Sequence, residues 1–426
     1  MIERISPPRR IAGSVTLPGD KSISHRYALL GALAEGATRI SNFATGADCH
    51  SSLGAVRALG IGVEEDGTSV TIHGKGLEGL AEPASSIDAG NSGSTIRMLS
   101  GILAGQAFPS CIHGDESLSR RPMERIMRPL TGMGASITAR EGRFPPLEIR
   151  GGNLRPIDYT LPVASAQVKS CVLLAGLYAD GTTSVREPMP TRDHTEIALR
   201  EFGADLTVHQ GRISVSGRPR LVARELAVPS DLSSAAFFLV AASLVPGSEL
   251  VIHGVGLNPT RSRLLDFLAG MGADIRVLEI HQAGGELVGD LAVRSRLVRG
   301  GIIEKELTAA LIDEIPVLAV LGAVSEEGLT VRDAAELRVK ETDRIATVAE
   351  NFKRMGIRVE LAPDGMVIPG RQKFRASTLD SFGDHRIAMA FSVAALLAEG
   401  ESEIEGAEAA SVSFPEFFST LRAICH

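Results

Sequence analysis

The sequence predicts an α/β protein of two similar domains, each with buried helices inside and sheets outside, an inside-out α/β barrel. One pattern recurs six times: a polar or Gly-rich turn, an apolar helix-like run, a glycine and an alternating strand-like stretch. The apolar runs have hardly any polar stripe, and helices that are apolar all round are buried. The strand-like stretches alternate with period 2, as in a sheet with one face on the core and one in water. A common α/β fold with helices on both outer faces would need polar stripes on these helices.

Two markers define the repeats. The glycine that ends each outer helix occurs in LGIGV, MGASI, FGADL, MGADI and MGIRV, at positions 60, 134, 203, 272 and 356. The spacing of these glycines is uneven. However, the glycine marker follows most of the apolar helix-like runs in order along the chain, so we interpret the two features as one repeat. The six copies begin at Lys21, Asn91, Ser165, Ser230, Asp313 and Asp384.

The two ends of the chain predict a discontinuous domain. The sixth copy lacks its last strand because the sequence ends at His426, whereas the strand-like RIAGSVTLP at 10–18 has no repeat of its own. We expect this stretch to supply the missing strand. One domain would then comprise residues 1–18 plus 231–426 and the other residues 19–230, with the active site in the cleft between them.

Composition excludes several classes of protein. The chain has 426 residues, of which 44% are hydrophobic, so disorder is excluded and two or three domains are expected. A net charge of -7, an aromatic content of 4% and the absence of Trp disfavour a nucleic-acid binder. The four scattered cysteines, the lack of a secretory signal and the lack of a membrane-length apolar run predict a cytoplasmic protein.

Cations occur at the starts of the apolar helices, where the helix dipole disfavours them. Capping is the simplest explanation for the Ser and Asp residues there. It does not explain Lys21 and Arg386, so we expect anionic ligands at these helix starts. The segment of Lys21 also carries Arg26, and two other start segments add Arg97 and Lys169.

Further cations lie in the motifs SLSRRPMERI, PTRDHTE and LRVKETDRI. So many cations suit a pair of substrates that together carry several phosphate and carboxylate groups. No phosphate-binding G-x-x-x-x-G-K-[ST] motif, H-E-x-x-H motif, Cys/His zinc spacing or nucleophile elbow is present. We therefore expect no metal and no cofactor.

Eight motifs spread over nearly the whole chain resemble the EPSP synthase family of enolpyruvyl transferases. In order, they are LPGDKSISHR, GNSGSTIR, SRRPM, SAQVKS, TRDHTE, LRVKETDR, DHRIAM and SFPEF. The resemblance implies two domains, each of three β-α-β-α-β-β units, that close on substrate. It also implies transfer of the enolpyruvyl group of phosphoenolpyruvate to the 5-hydroxyl of shikimate 3-phosphate in aromatic amino acid biosynthesis, by a monomer without nucleic-acid or membrane partners.

The same resemblance assigns site residues. Asp313 corresponds to the base at the hydroxyl and Glu341 to the proton donor and acceptor at C3 of phosphoenolpyruvate, with Lys21 assisting. The shikimate-phosphate site would comprise Lys21, Ser22, Arg26, Ser165, Ala166, Gln167, Arg192 and Lys340. The phosphoenolpyruvate site would comprise Arg121, Arg344 and Arg386, lined by Asn91 and Gly93, with Lys21 reaching both substrates.

Three positions depart from one branch of the family. Ala166 replaces a Ser, Glu336 replaces an Asn, and Val412 replaces a Lys on the phosphoenolpyruvate side. The chain is therefore more similar to the second, class II-like branch, which includes glyphosate-tolerant members. Those tolerant members carry Ala at the place of Gly93, so the glycine predicts a glyphosate-sensitive enzyme.

Two alternatives remain at this point. The related UDP-N-acetylglucosamine enolpyruvyl transferases usually carry a Cys in the loop that here reads HGDESLSRRP. A non-catalytic phospho-ligand binding protein would gain nothing from Asp313 and Glu341, since carboxylates weaken anion binding.

Overall fold

The computed structural model describes all residues, Met1–His426, and contains 13 α-helices. The helices are α1 Lys21–Leu33, α2 Ala47–Ala58, α3 Gly93–Ala104, α4 Glu124–Met133, α5 Ala166–Gly176, α6 His194–Glu201, α7 Leu232–Leu244, α8 Arg263–Gly270, α9 Glu306–Leu311, α10 Ile315–Val324, α11 Arg344–Arg354, α12 His385–Ala395 and α13 Phe417–Ile424. Three short 3-10 helices cover Leu118–Arg120, Ala335–Val339 and Ala407–Val412.

The chain also forms 23 strands. They are β1 Ile2–Ile5, β2 Ala12–Thr16, β3 Glu35–Ser41, β4 Gly62–Asp66, β5 Ser69–Lys75, β6 Ile87–Asp88, β7 Ser110–His113, β8 Ser136–Arg140, β9 Phe144–Arg150, β10 Asp158–Thr160, β11 Thr182–Arg186, β12 Leu206–His209, β13 Arg212–Ser216, β14 Glu225–Ala227, β15 Glu249–Gly256, β16 Asp274–Ala283, β17 Glu286–Arg294, β18 Gly300–Ile303, β19 Gly328–Val331, β20 Glu360–Ala362, β21 Gly365–Ile368, β22 Thr378–Asp380 and β23 Ser402–Glu405.

Two compact units divide the chain. The N-unit consists of Gly19–Val228 with Ala283–Glu286, and the C-unit of Met1–Pro18, Pro229–Gln282 and Leu287–His426. The short segment Ala283–Glu286, at the turn between β16 and β17, packs with the N-unit although the sequence analysis put it in the other domain. The reason lies in its contacts, because the Glu286 carboxylate binds His194 of α6 at 2.6 Å.

Each unit contains three sheets, so the six repeats give six sheets. The N-unit has the orders β14-β3-β5-β4, β6-β7-β9-β8 and β10-β11-β13-β12, and the C-unit has β16-β17-β15-β2, β18-β19-β21-β20 and the three-stranded β1-β23-β22. One parallel pair in each sheet joins the strand that follows a buried helix to an outer neighbour, as in β6–β7 and β18–β19. The other pairs described in each sheet are antiparallel.

The predicted strand partner of the sixth copy is wrong. The stretch at 10–18 forms β2, which pairs in parallel with β15 of the fourth copy. The sheet of the sixth copy is instead completed by β1, which pairs antiparallel with β23. Both segments belong to the C-unit, because the chain enters the N-unit only at Gly19.

The predicted layering is confirmed: helices occupy the interior of each unit, and strands show one face to water. Every residue of α12 is buried, as are Leu232–Ser243 of α7. In β9, Leu147 and Ile149 are buried whereas Glu148 and Arg150 are exposed. Burial of apolar surface is the dominant favourable term in folding. The apolar helices of the repeats therefore form the hydrophobic core of each unit.

All six predicted copy starts lie at, or within two residues before, the first residue of a buried helix. The five marker glycines, Gly60, Gly134, Gly203, Gly272 and Gly356, have positive φ angles of 79°, 112°, 95°, 91° and 76°. Glycine adopts this left-handed conformation without a steric penalty, which explains why each outer helix ends there. No helix in the chain has both the length and the apolar character that crossing a bilayer requires.

Candidate active site

Polar residues cap buried helices of the N-unit. The neighbouring first-turn side chains are not needed as caps and can contact a ligand. The Asp20 carboxylate accepts the backbone N–H of Ile23 at the start of α1, and the Ser165 hydroxyl accepts that of Val168 at the start of α5. Ser22 is therefore a first-turn residue of α1 and not its cap. The free N–H groups of such helix starts favour anionic ligands.

Arg26 of α1 is a buried guanidinium whose hydrogen-bond acceptors are all uncharged. Its nitrogens donate to the Thr195 hydroxyl at 2.6 Å, the Ser22 carbonyl at 2.7 Å and the Ser170 hydroxyl at 2.9 Å. Burial, together with the like charge of Arg192, lowers the pKa of Arg26 to about 10, so the group stays charged at neutral pH. A buried cation without a carboxylate contact is costly unless an anion binds to it.

Lys21, the first residue of α1, is held by a carboxylate that the sequence analysis missed. Its ammonium lies 2.9 Å from Asp48 Oδ2 of α2, and only 9% of the Asp48 side chain is exposed. The second oxygen of this carboxylate, Oδ1, is buried and has no hydrogen-bond partner. Asp48 therefore fixes the direction of the Lys21 side chain and keeps an acceptor beside it.

Asn91, Gly93 and Arg121 come together at the start of α3. Arg121 donates to the Asn91 side-chain oxygen at 2.8 Å and to the Ser117 hydroxyl at 3.1 Å. The Asn91 amide donates to the carboxylate of Asp115 at 2.6 Å. A β-carbon added at Gly93 would lie 3.5 Å from Arg121 Nη1, so the glycine leaves room beside the guanidinium.

Gln167 links the start of α5 to that of α3. Its side-chain oxygen accepts from Arg97 Nη1 at 2.6 Å, and its amide donates to the Ser94 hydroxyl at 3.0 Å. Its neighbour Ala166 is the first residue of α5 and offers no polar side chain. Most of the predicted N-unit residues are thus connected through α1, α3 and α5.

Lys169 does not fit the expectation that cations at helix starts bind ligands. Its ammonium is fully buried and lies 3.0 Å from Glu187 and 2.6 Å from Glu196. Two carboxylates already neutralise it, so it holds the segment between β11 and α6, which carries Arg192. The sequence could not separate Lys169 from Arg26, because the difference lies in acceptors that are distant along the chain.

The segment with Arg192 is anchored a second time. His194 Nδ1 lies 2.6 Å from Glu286 Oε1, and both side chains are only 2% exposed. The Tyr27 hydroxyl donates to the Gly284 carbonyl at 3.3 Å. The turn Ala283–Glu286 therefore packs against α1 and α6 at the place where Arg26 and Arg192 lie.

In the C-unit, Arg344 at the start of α11 organises a cluster of carboxylates. It lies 2.6 Å from Glu341, 2.8 Å from Asp384 and 3.5 Å from Asp313. These three carboxylates raise the pKa of Arg344 against the effect of its burial. Asp384 also caps α12 through the backbone N–H of Arg386 at 2.8 Å, so one carboxylate serves both the helix and the cluster.

Asp313 and Glu341, the predicted acid–base pair, thus both contact Arg344. Asp313 additionally lies 3.1 Å from the Lys340 ammonium. Asp313 precedes α10 but does not cap it, because the N-cap is Glu314 and no side chain bonds the first turn. The structure therefore brings Asp313, Lys340, Glu341 and Arg344 together as the sequence analysis expected.

Arg386 of α12 is the C-unit counterpart of Arg26. It is only 6% exposed, its Nη1 donates to the Ser233 carbonyl at 3.4 Å, and its guanidinium lies 5.9 Å from the centre of the Phe237 ring. No carboxylate lies within ion-pair distance of it. Each unit therefore contains a buried guanidinium whose charge an anionic ligand could neutralise.

Two of the three departures from the family pattern, Glu336 and Val412, lie on 3-10 helices of the C-unit. Glu336 is part of Ala335–Val339, directly before Lys340, and Val412 ends Ala407–Val412. Val412 offers no charge there.

A family model described as EPSP synthase (3-phosphoshikimate 1-carboxyvinyltransferase) matches residues 5–421. The chain belongs to the EPSP synthase family. A 3-phosphoshikimate 1-carboxyvinyltransferase from Solibacter usitatus is 68% identical over 424 residues, which cover 100% of both chains. The enzyme of the same name from Koribacter versatilis is 53% identical over 422 residues, covering 99% of this chain and 98% of the relative.

Solved structures agree with membership of the EPSP synthase family. EPSP synthase from Acinetobacter baumannii superposes with a TM-score of 0.89 at 44% identity, covering 100% of this chain and 98% of the other. The enolpyruvyl transferase NikO from Streptomyces tendae has a TM-score of 0.76 at 18% identity, covering 99% and 97%. The latter likeness shows the fold alone.

Proposed function

We propose that this chain transfers the enolpyruvyl group of phosphoenolpyruvate to the 5-hydroxyl of shikimate 3-phosphate and releases phosphate, in aromatic amino acid biosynthesis. One observation carries the proposal beyond family membership. Arg26 and Arg386 are buried guanidinium groups that contact only uncharged groups, and the C-unit also holds the carboxylates of Asp313 and Glu341 beside Arg344. Substrates with two phosphates and two carboxylates supply the missing negative charge.

The N-unit residues are assigned to binding. Ser22, Arg26, Ser165, Gln167 and Arg192 hold shikimate 3-phosphate, with the Ala166 backbone, and Arg121 binds phosphoenolpyruvate between Asn91 and Gly93. Lys21 reaches both substrates, with its ammonium aimed by Asp48. These groups position the reactants and stabilise charge that develops on the phosphate and carboxylate oxygens.

The C-unit residues are assigned to proton transfer. Asp313 takes the proton of the 5-hydroxyl as that oxygen attacks C2, while Glu341 gives a proton to C3 and a tetrahedral ketal phosphate forms. Phosphate then leaves from C2 with the proton that Asp313 took up, and Glu341 removes a proton from C3, which restores the double bond and both starting protonation states. Lys340 completes the shikimate-phosphate site, whereas Arg344 and Arg386 hold phosphoenolpyruvate.

An end-point assay tests the activity itself. Phosphate release from phosphoenolpyruvate is measured with shikimate 3-phosphate and, in parallel, with UDP-N-acetylglucosamine. The proposal expects turnover with the first acceptor and none with the second. Turnover only with the nucleotide sugar would make the chain the related transferase, and binding of both substrates without phosphate release would make it a binding protein.

Asp313→Ala tests the assignment of the base. We expect a loss of about 10²–10⁴ in turnover, the range typical of a general base. Asp266→Ala on α8 is the matched control, because this carboxylate is exposed and lies outside the cluster. Near wild-type turnover in Asp313→Ala would reject the assignment while leaving the overall activity intact.

Arg26→Met tests the anion site of the N-unit. Loss of a charge-assisted contact costs about 1.5–3 kcal/mol, so the KM for shikimate 3-phosphate should rise about 10- to 100-fold. Arg39→Met on β3 is the control, since 65% of its side chain is exposed. An unchanged KM in Arg26→Met would remove this residue from the substrate site.

The proposal includes a monomer in the cytoplasm. All four cysteines are unpaired, which suits a reducing compartment. Size-exclusion chromatography with light scattering should give a mass near 44.9 kDa. A stable mass of twice that value would correct this part of the proposal.

A further inference from the structure

Four buried polar residues form a second cluster in the C-unit, behind Asp313. They are Asp231, the N-cap of α7, Ser233 in its first turn, Arg261 before α8, and Glu314, the N-cap of α10; all are between 2% and 6% exposed. Arg261 Nη2 donates to the Ser233 hydroxyl, and this hydroxyl donates to the Glu314 carboxylate. The same guanidinium nitrogen lies 3.6 Å from Asp231 and 3.8 Å from Glu314.

Stability alone is a poor explanation for this cluster. Burying a guanidinium with two carboxylates removes three charges from water, and a well-packed apolar set of the same volume is often equally stable or more so. Asp231 has a structural task, since it accepts the backbone N–H of Ser233 at 3.0 Å. Glu314 has no such task, because its carboxylate does not cap α10. Its side chain is directed to Ser233 and Arg261 instead.

The cluster touches the neighbours of two residues assigned to the reaction. Glu314 follows Asp313 directly, so its anchored carboxylate fixes the peptide that carries Asp313. The carbonyl of Ser233 accepts a hydrogen bond from Arg386 Nη1 at 3.4 Å, so the same serine also holds a guanidinium assigned to phosphoenolpyruvate. Arg261 connects both through Ser233, although it is distant from each along the chain.

We propose that Arg261 is a positioning residue of the reaction, which acts through Glu314 on Asp313 and through Ser233 on Arg386. It contacts no substrate. It fixes where the base and one anion-binding guanidinium stand, and a misplacement of about 1 Å in such groups can cost about 100-fold in rate. The inference rests on the proposed function, because Asp313 and Arg386 take their roles from it.

Steady-state kinetics of Arg261→Met test the inference. We expect kcat to fall about 10- to 100-fold, while the KM for shikimate 3-phosphate changes less than about twofold, because its N-unit contacts are untouched. Arg261→Lys should recover part of kcat, since an ammonium keeps the charge but loses the planar fork. Arg263→Met, two residues away, is the control; 43% of that side chain is exposed and kcat should stay at the wild-type value.

The double variant Arg261→Met/Glu314→Gln separates positioning from charge balance. It removes both the cation and a carboxylate that the cation neutralises, so its Tm should return towards the wild-type value. Positioning predicts that kcat nevertheless stays low, because the anchor of Asp313 is still missing. Recovery of kcat together with Tm would overturn the inference, as would a kcat within about threefold of wild type in Arg261→Met.

Two further outcomes are informative. If Arg261→Met does not fold, Arg261→Lys decides: a kcat reduced by more than about threefold at an unchanged KM supports positioning, and an unchanged kcat overturns it. If the wild-type chain does not turn over phosphoenolpyruvate with shikimate 3-phosphate, the proposed function has failed. Normal turnover in wild type and in every Arg261 variant overturns only the present inference.

Discussion

Replacing Lys169 by Met should destabilise the N-unit, with little direct effect on substrate binding. The Lys169 ammonium is the only cation within ion-pair distance of Glu196 and Glu187, at 2.6 and 3.0 Å, and all three side chains are at most 7% exposed. Removal of one partner from a buried ion pair costs about 3–5 kcal/mol, because it leaves an uncompensated buried charge. For a domain of roughly 200 residues this corresponds to a fall in Tm of about 6–20 °C.

The loss should depend on pH with a definite sign. Burial raises the pKa of Glu196 above its ordinary value of 4.5, and Lys169 opposes that rise. Without Lys169 the folded variant retains a proton that the unfolded chain has released, so its free energy of unfolding falls as pH rises above 4.5. The difference from wild type should therefore be smaller at pH 5 than at pH 8.

Urea unfolding followed by circular dichroism at several pH values measures both effects. Lys373→Met is the control, because this lysine is 86% exposed and lies 3.9 Å from Glu399, so about 0–1 kcal/mol is expected. Lys169→Met/Glu196→Gln should recover part of the stability. An unchanged Tm with a raised KM for shikimate 3-phosphate would refute the reasoning, since a ligand-binding lysine would behave in that way.

Three further predictions concern the phosphoenolpyruvate side and a buried histidine. In Gly93→Ala the new methyl group would lie 2.9 Å from Arg97 Nη1, closer than an ordinary contact, and 3.5 Å from Arg121 Nη1. The KM for phosphoenolpyruvate should rise by about 5- to 30-fold in steady-state kinetics at a nearly unchanged Tm, as expected for about 1–2 kcal/mol of strain. The wild-type chain should be inhibited by glyphosate at low phosphoenolpyruvate, and Gly93→Ala less so; undiminished wild-type turnover at millimolar glyphosate would contradict this. Burial lowers the pKa of His25 well below 6.5. Below pH 6.5 the unfolded chain therefore binds one proton more than the folded chain, and the free energy of unfolding falls by about 1.4 kcal/mol per pH unit on acidification. Urea unfolding at several pH values should show a smaller pH dependence in His25→Gln and an unchanged one in His209→Gln, whose side chain is exposed.

The repeat made most of the fold predictable from sequence. Apolar periodicity and terminal glycines are local signals, and they located all six buried helices and the ends of five outer ones. The partner of β2 was not predictable in this way. Strand pairing depends on which sheet edge is open after the units have formed. The nine-residue stretch at 10–18 fits the edge beside β15 as well as the edge beside β23.

Candidate site residues could be predicted where a charged residue stands at an unusual position in the sequence pattern. Lys21, Arg26, Asp313 and Arg344 are unusual at helix starts or occur in dense charged motifs. Asp48 and Arg261 were missed, because a carboxylate in an ordinary first turn and an arginine in a loop give no local signal. Their importance lies in contacts with residues that are 27 and 53 positions away along the chain, to Lys21 and Glu314.

The ion pairs of the C-unit suggest how binding and proton transfer are linked under the proposed function. Arg344 contacts Glu341 and Asp313, the two carboxylates assigned to proton transfer, and its third partner Asp384 also caps α12. An anionic substrate group that binds Arg344 competes with Glu341 and Asp313 but not with the helix cap, because moving Asp384 would also cost the cap. A carboxylate that loses its cation holds a proton more readily. The arrival of phosphoenolpyruvate would therefore prepare Glu341 for its proton at the moment when C3 is in place to receive it.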